Sequence, residues 1–102
     1  MAVVLEKVRQ LEKYLEWRGG HGDRVVDMTI SKILQRERDQ MRGQLNDLQQ
    51  HLTAFERQYG WPTRTFYERF EKGELGDDGD FFEWSATWEM LLQLQKGLAL
   101  LA

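Results

Sequence analysis

The stretch that decides the fold, residues 30–59, reads ISKILQRERDQMRGQLNDLQQHLTAFERQY. Its apolar residues recur alternately four and three positions apart, and the seam they form consists of Met41, Leu45, Leu48, Leu52, Phe55 and Tyr59. This spacing is that of a heptad repeat, in which one stripe of an α-helix meets a neighbouring helix. Extended upstream to Ile30, the pattern predicts a helix of about 30 residues, roughly 45 Å long at about 1.5 Å per residue.

An apolar stripe of this length needs cover, because a helix gains little stability from apolar residues that stay in water. The simplest cover is a second copy of the chain. We therefore predict a homodimer, with the first and last helices packed alongside the long one, in which the long helices pair through the seam residues Met41, Leu45, Leu48, Leu52 and Phe55. Parallel and antiparallel pairing both stay open, because the residues that flank the seam are mostly neutral: Gln44, Asn46, Gln49 and Gln50.

The composition is that of an all-α protein. The chain has 102 residues and one proline, helix formers dominate it, and no β-rich run is bounded by hairpin turns. At this length we expect residues 1–102 to form a single helical domain. The absence of cysteine excludes disulfides, thiolate metal sites and a cysteine nucleophile. No apolar run approaches the ~20 residues of a membrane span, so we expect a soluble, cytoplasmic protein without membrane contact.

Local start and stop signals divide the chain into four predicted helices, at about residues 2–18, 24–59, 64–72 and 80–101. The first carries an apolar stripe made of Val4, Val8, Leu11 and Leu15. Gly19-Gly20 ends it, and Asp23 is placed to cap the long helix. The long helix is predicted to end at Gly60, because glycine accepts the conformation that closes a helix and Trp61-Pro62 prevents continuation.

Capping signals also mark the last two helices. Thr63 or Thr65 is placed to cap the short third helix, and Thr65 with Glu68 has the spacing of a capping box. Asp80 with Glu83 has the same spacing at the start of the fourth helix. The fourth helix is predicted to pack antiparallel on the long one.

Charge is unevenly distributed along the chain. Residues 1–60 carry ten Lys and Arg against nine Asp and Glu, whereas residues 61–102 carry four against eight. The C-terminal part therefore has a net charge of −4. Such an acidic part suits a basic protein partner better than a phosphate backbone.

No pattern in the sequence indicates catalysis. The acidic turn over residues 74–80 lacks the spacing of an EF-hand, and Ser31 and Ser85 have no histidine or lysine at a suggestive distance. The glycine-rich loop before the long helix has neither P-loop nor dinucleotide-binding spacing. We therefore expect no enzymatic activity, no metal and no cofactor.

Several motifs of the C-terminal part resemble those of a known family. They are Leu52-Thr-Ala-Phe55-Glu56-Arg-Gln-Tyr59-Gly60, Phe66-Tyr-Glu-Arg-Phe70, Gly73-Glu74-Leu75-Gly76-Asp77-Asp78 and Asp80-Phe-Phe-Glu83-Trp84. Over about residues 25–102 the chain is similar to small prokaryotic antitoxin-like proteins, which are short, helical and encoded with a toxin in a two-gene module. The resemblance implies a non-catalytic module that neutralises a small toxin by direct binding, with dimerisation.

The resemblance and the acidic, aromatic C-terminal part together suggest where the toxin binds. The predicted contact residues are Glu74, Asp77, Asp78, Phe82 and Trp84. The carboxylates are expected to meet a basic surface of the toxin. Because Phe81 and Phe82 are adjacent, they cannot both face the same side of a helix, which leaves one of them for contact with a partner.

Two other functions stay open. A DNA-binding autorepressor would contact phosphates through the mildly basic stretch of the long helix, which contains Lys32, Arg36, Arg38 and Arg42. A purely structural coiled-coil dimerisation module would use the seam alone.

Overall fold

The computed structural model describes residues 2–102. Over these residues the chain forms four α-helices and no strand: α1 (Ala2–Trp17), α2 (Arg24–Tyr59), α3 (Thr63–Glu71) and α4 (Gly79–Leu101). The predicted all-α class is confirmed, and each predicted helix boundary lies within one residue of the observed one. The chain divides into two compact units, unit 1 up to Gln35 and unit 2 from Arg36 to Ala102.

Unit 1 holds α1 and the first turns of α2, joined by a glycine-rich turn. Gly19 and Gly20 have φ angles of +80° and +82°, a conformation that residues with a Cβ avoid. The Asp23 carboxylate accepts a hydrogen bond of 2.9 Å from the Val26 amide. The predicted cap of α2 is therefore confirmed.

The apolar stripe of α1 stays largely in water. Val4, Val8 and Leu11 are 66, 54 and 38 % exposed. Among the described side chains of α1, from Val3 to Trp17, Leu15 alone is half-buried. The stripe was predicted to pack alongside the long helix, but most of it is left uncovered.

In unit 2, α4 runs antiparallel to α2, as predicted. As the chain advances along α4, its partners on α2 move back toward the N-terminus. The pairs that show this are Asp80 with Tyr59, Trp84 with Phe55, Gly97 with Met41, and Leu101 with Arg38.

The core of unit 2 lies between α2, α3 and α4. Leu52, Phe66, Trp84 and Leu91 are buried, with at most 4 % of each residue exposed. Around them pack the half-buried side chains of Leu45, Leu48, Phe55, Tyr59, Trp61, Tyr67, Phe70, Leu75, Phe81 and Trp88. Nine of these fourteen residues are aromatic, so contacts between rings make up much of the core.

The heptad seam of α2 is covered by α3 and α4 of the same chain. Leu52 is buried in the core, and Leu45, Leu48 and Phe55 pack against it. Met41 lies so close to α4 that a Cβ added at Gly97 would be 2.7 Å from its Cε atom. The 23 residues of α4 span about 35 Å. Within unit 2, α4 is therefore long enough to cover the seam, which the prediction of a homodimer had assumed to need a second copy. Of the seam residues, Leu52 is buried within one copy of the chain, and Met41, Leu45, Leu48 and Phe55 are half-buried.

The cap of α4 differs from the prediction. Asp78, and not Asp80, occupies the capping position, and its carboxylate accepts a hydrogen bond of 2.9 Å from the Asp80 amide. The Asp80 carboxylate instead accepts from the Tyr59 hydroxyl at 2.6 Å. Both aspartates stand near the start of the helix: Asp78 precedes it and caps it, and Asp80 lies in its first turn and contacts α2.

The cap of α3 also differs from the prediction. The residue that precedes α3 is Pro62, which has no side chain able to accept a hydrogen bond. The Thr63 amide instead donates to the Glu56 carboxylate at 2.8 Å. Glu56 of α2 therefore accepts the hydrogen bond at the start of α3 that was predicted for the side chain of Thr63 or Thr65.

Candidate protein-interaction surface

Trp84 lies at the centre of the core and not on its surface. The residue is 0 % exposed, and its ring stacks on Phe66 with the planes 2° apart and the ring centres separated by 3.9 Å. Phe55 and Tyr59 stack on it as well, at 5.5 and 5.7 Å. A ring that is fully covered by its own chain does not meet a partner's surface, which corrects the prediction that Trp84 is a contact residue.

A polar relay fixes the position of the Trp84 ring. Its Nε1–H donates to Thr63 Oγ1 at 3.0 Å, and Thr63 Oγ1 donates in turn to Glu56 Oε2 at 2.9 Å. The same Glu56 oxygen accepts from the Thr63 amide at 2.8 Å. One carboxylate on α2 therefore holds the start of α3 and, through Thr63, the ring on α4.

Tyr59 ties the end of α2 to the start of α4. Its hydroxyl donates to Asp80 Oδ2 at 2.6 Å. The hydrogen bond to Asp80, together with burial and the negative charges of Asp80 and Asp78, raises the pKa of Tyr59 to about 12. The hydroxyl therefore keeps its proton at neutral pH, and the contact serves as a tether.

Tyr67 makes an equivalent tether between α3 and α4. Its hydroxyl donates to Glu89 Oε1 at 2.8 Å. That hydrogen bond, then burial and the negative charges of Glu71 and Glu89, raises the pKa of Tyr67 to about 12. Two tyrosine–carboxylate contacts thus hold α4 against its neighbours, one from the end of α2 and one from the middle of α3.

The acidic turn between α3 and α4 is anchored at several points. Leu75 packs against the core, and the Glu74 amide donates to the Arg69 carbonyl at 3.1 Å. The Glu74 carboxylate pairs with the Arg69 guanidinium at 3.4 Å, with both side chains about half exposed. Asp77 is exposed. The turn therefore presents carboxylates to solvent from a backbone that is held in place.

The two adjacent phenylalanines at the start of α4 face different sides, as predicted. Phe81 is half-buried and packs against Tyr59 and Phe66, with ring centres 5.3 and 5.6 Å apart. Phe82 is 56 % exposed, and its ring meets that of Phe70 edge-on at 5.5 Å. Phe82 is the exposed aromatic residue of this part of the chain.

The structure thus separates the five predicted contact residues into three groups. Glu74 and Asp77 lie at the surface of the segment that joins α3 to α4, and Phe82 lies at the surface of the first turn of α4. We term these three residues the α3–α4 corner. Asp78 is exposed, but its carboxylate caps α4. Trp84 is buried.

A groove between α2 and α4 was not predicted from the sequence. The groove has a volume of about 950 Å³ and is lined by Leu48, Ala86, Met90 and Leu94 together with Gln44, Asp47, Glu89 and Gln93. Met90 is 55 % exposed. One sequence signal could have predicted this groove. Ala86, Met90 and Leu94 are spaced four residues apart and so lie on one face of the helix.

Part of the basic stretch of α2 has a structural role. The Arg38 Nε–H donates to the Leu101 carbonyl at 2.7 Å, where a cation favourably meets the negative end of the α4 dipole. Arg36 pairs with Glu37 at 3.6 Å on the surface. Lys32 and Arg42 are exposed.

Within residues 2–102 the structure shows no group of three or more His, Asp or Glu side chains that could hold a metal ion. Over the same residues, no helix is long and apolar enough to cross a membrane. Every fully buried side-chain nitrogen or oxygen in the described part of the chain has a hydrogen-bond partner. Comparison of the chain with protein-family models, with curated proteins and with solved structures finds no match.

Proposed function

We propose that this protein is a non-catalytic, antitoxin-like binding module that acts in the cytoplasm and neutralises a small, basic toxin by direct contact through the α3–α4 corner. The observation that carries the proposal is the exposure of Phe82, a large aromatic side chain held edge-on by Phe70 at the end of an acidic turn. Exposed aromatic residues on a fixed backbone are typical anchors of protein interfaces.

Electrostatics supports a basic partner. Residues 61–102 carry a net charge of −4, and the corner contributes the exposed carboxylates of Glu74 and Asp77. Complementary charge speeds association and selects among partners. A basic toxin surface fits this charge, and a phosphate backbone does not.

The rigidity of the corner supports the proposal as well. Leu75 anchors the turn in the core, Asp78 caps α4 and Tyr59 holds Asp80. Because these contacts exist in the free protein, little conformational entropy is lost when the corner binds. A corner of this kind favours a partner-binding role over that of a simple linker between two helices.

The test is co-expression of the protein with the product of its adjacent gene. We expect the neighbour to arrest growth when expressed alone, and both growth rescue and co-purification when the two are expressed together. Phe82→Ala is expected to weaken binding by tenfold or more, and Glu74→Gln with Asp77→Asn to slow association and reduce its salt dependence.

Met90→Ala is the matched control, because Met90 is 55 % exposed, as Phe82 is 56 % exposed, but lies in the groove between α2 and α4. We expect it to bind like the wild type. If the corner variants bind normally and the control does not, the partner surface is the groove. A neighbour that is harmless alone would remove the antitoxin proposal itself.

A further inference from the structure

The exposed apolar surface of this chain is concentrated in unit 1. Of the fourteen large apolar residues that are exposed among the described residues, ten lie between Val3 and Ile33. The ten are Val3, Val4, Leu5, Val8, Leu11, Tyr14, Trp17, Val25, Met28 and Ile33. A soluble chain rarely leaves that much apolar surface on so short a segment unless something covers it.

The pattern of α1 is that of a short coiled coil. Val4, Val8, Leu11 and Leu15 stand four, three and four positions apart, so Val4 and Leu11 take the d positions of a heptad and Val8 and Leu15 the a positions. This frame places Lys7 at g and Glu12 at e. These are the positions whose charges set partner choice and orientation in coiled coils.

We propose that α1 pairs in parallel with α1 of a second copy of the chain. In a parallel pair, a g residue faces the e residue five positions further on in the other helix, which brings Lys7 opposite Glu12 of the second copy, twice by symmetry. In an antiparallel pair, g faces g and e faces e. The g residues Lys7 and Tyr14 would then face each other along one edge of the pair, and the e residues Leu5 and Glu12 along the other edge. Neither edge would bring opposite charges together. Charge complementarity therefore favours a second copy of α1, in the parallel direction, on this face.

The available area indicates a weak dimer. The stripe residues Val4, Val8 and Leu11, with Leu5 and Tyr14 beside them, are 38–66 % exposed. At ~150 Å² for a fully exposed large side chain, this amounts to about 400 Å² in each copy. Both copies together bury less than the ~1,200 Å² of a stable interface. We therefore expect a dimer that dissociates in the micromolar range, and that does not depend on the seam at residues 41–55 or on the toxin proposal.

The first experiment is sedimentation equilibrium of the full chain from low to high micromolar concentration. The wild type is expected to shift from monomer to dimer over this range, and Val8→Asp to stay monomeric. Met90→Asp, an apolar-to-acid change on an exposed residue of unit 2, is the control and should dimerise like the wild type. In all variants the core of unit 2 should unfold at the same temperature as in the wild type.

The second experiment exchanges the charges. Lys7→Glu places a carboxylate opposite Glu12 of the second copy. Glu12→Lys places an ammonium group opposite Lys7 of the second copy. Because like charges repel, each single variant should dimerise at least threefold more weakly than the wild type. A mixture of the two single variants restores both opposite-charge pairs and should form a heterodimer. The double variant Lys7→Glu/Glu12→Lys should form a homodimer of wild-type strength.

The orientation is tested by a single cysteine, since the chain has none of its own. Val4→Cys should form an oxidised, crosslinked dimer, because identical d residues lie side by side only in a parallel pair. A wild-type monomer at every concentration, or a Val8→Asp variant that still dimerises, overturns the proposal. Heterodimer formation without crosslinking would overturn the parallel orientation.

Discussion

The rings of Trp84 and Phe66 lie almost parallel, with their centres 3.9 Å apart and their planes at 2°. Both residues are completely buried. The contact joins α4 to α3, which has nine residues and is too short to be stable by itself. Stacking on Trp84 is therefore one of the contacts that fix α3, and with it the α3–α4 corner, against its neighbours.

Phe66→Ala is expected to be strongly destabilising. It removes a fully buried ring and leaves a cavity against Trp84, which typically lowers the free energy of unfolding by about 3–5 kcal/mol. Urea unfolding followed by tryptophan fluorescence measures the change. Phe82→Ala is the matched control, because Phe82 is 56 % exposed and its loss should cost under ~1 kcal/mol. Equal losses for the two variants would contradict the burial described here.

Glu56→Ala is expected to destabilise α3 from outside that helix. The change leaves the Thr63 amide without its acceptor and breaks the relay to Trp84, at a cost of about 1–3 kcal/mol. Glu56→Gln keeps an acceptor oxygen and should lose less. Glu68→Ala changes an exposed glutamate of α3 and should stay within about 0.5 kcal/mol of the wild type. Thermal unfolding of the three variants, measured side by side, gives the order of their stabilities.

Asp78→Ala and Asp80→Asn separate the cap of α4 from the tether to α2. Asp78→Ala removes the acceptor for the Asp80 amide and should lower stability by about 1 kcal/mol, whereas Asp78→Ser should retain most of the cap. Asp80→Asn keeps the cap but removes the negative charge beside Tyr59. It should bring the pKa of Tyr59 down from about 12 toward its ordinary value of 10.0. Absorbance titration of the phenolate distinguishes the two variants, since Asp78→Ala leaves the hydrogen bond from Tyr59 to Asp80 in place.

Stability is expected to fall in strongly alkaline solution because of the two tethered tyrosines. The pKa values of Tyr59 and Tyr67 are each raised from 10.0 to about 12 in the folded protein. Between these values the folded protein holds protons that the unfolded chain has released, so the free energy of unfolding decreases as the pH rises. The contribution is fully present below about pH 10 and is lost by about pH 12.

The double variant Tyr59→Phe/Tyr67→Phe tests the source of that decrease. It lacks both hydroxyls, so its urea midpoint should change less than that of the wild type over the same alkaline range. At neutral pH it should be the less stable protein, because Asp80 and Glu89 each lose a donor. If the urea midpoint of the double variant falls with rising pH as steeply as that of the wild type, other groups cause the alkaline loss of stability.

The sequence by itself determined where the helices lie. Heptad spacing from residue 30 onward, with the capping signal at Asp23 and the stop at Gly60, predicted α2 over residues 24–59, which are its observed bounds. Gly60 closes the helix with a φ angle of +74°. The Asp23 cap was also predicted correctly. These features depend on contacts between residues three or four positions apart, and such contacts are present in the sequence pattern whatever the rest of the chain does.

Only the tertiary structure decided what each apolar face touches and which of several similar side chains does a given task. Leu52 and its seam neighbours pack on α4, although their spacing suits a second copy equally well. Trp84 is the centre of the core, although its position at the start of α4 also suits an interface. Asp80 accepts from Tyr59 on another helix, although its spacing to Glu83 suits a capping box, and Asp78 caps α4. In each case the deciding contact joins residues more than twenty positions apart, and helical periodicity carries no information over that distance.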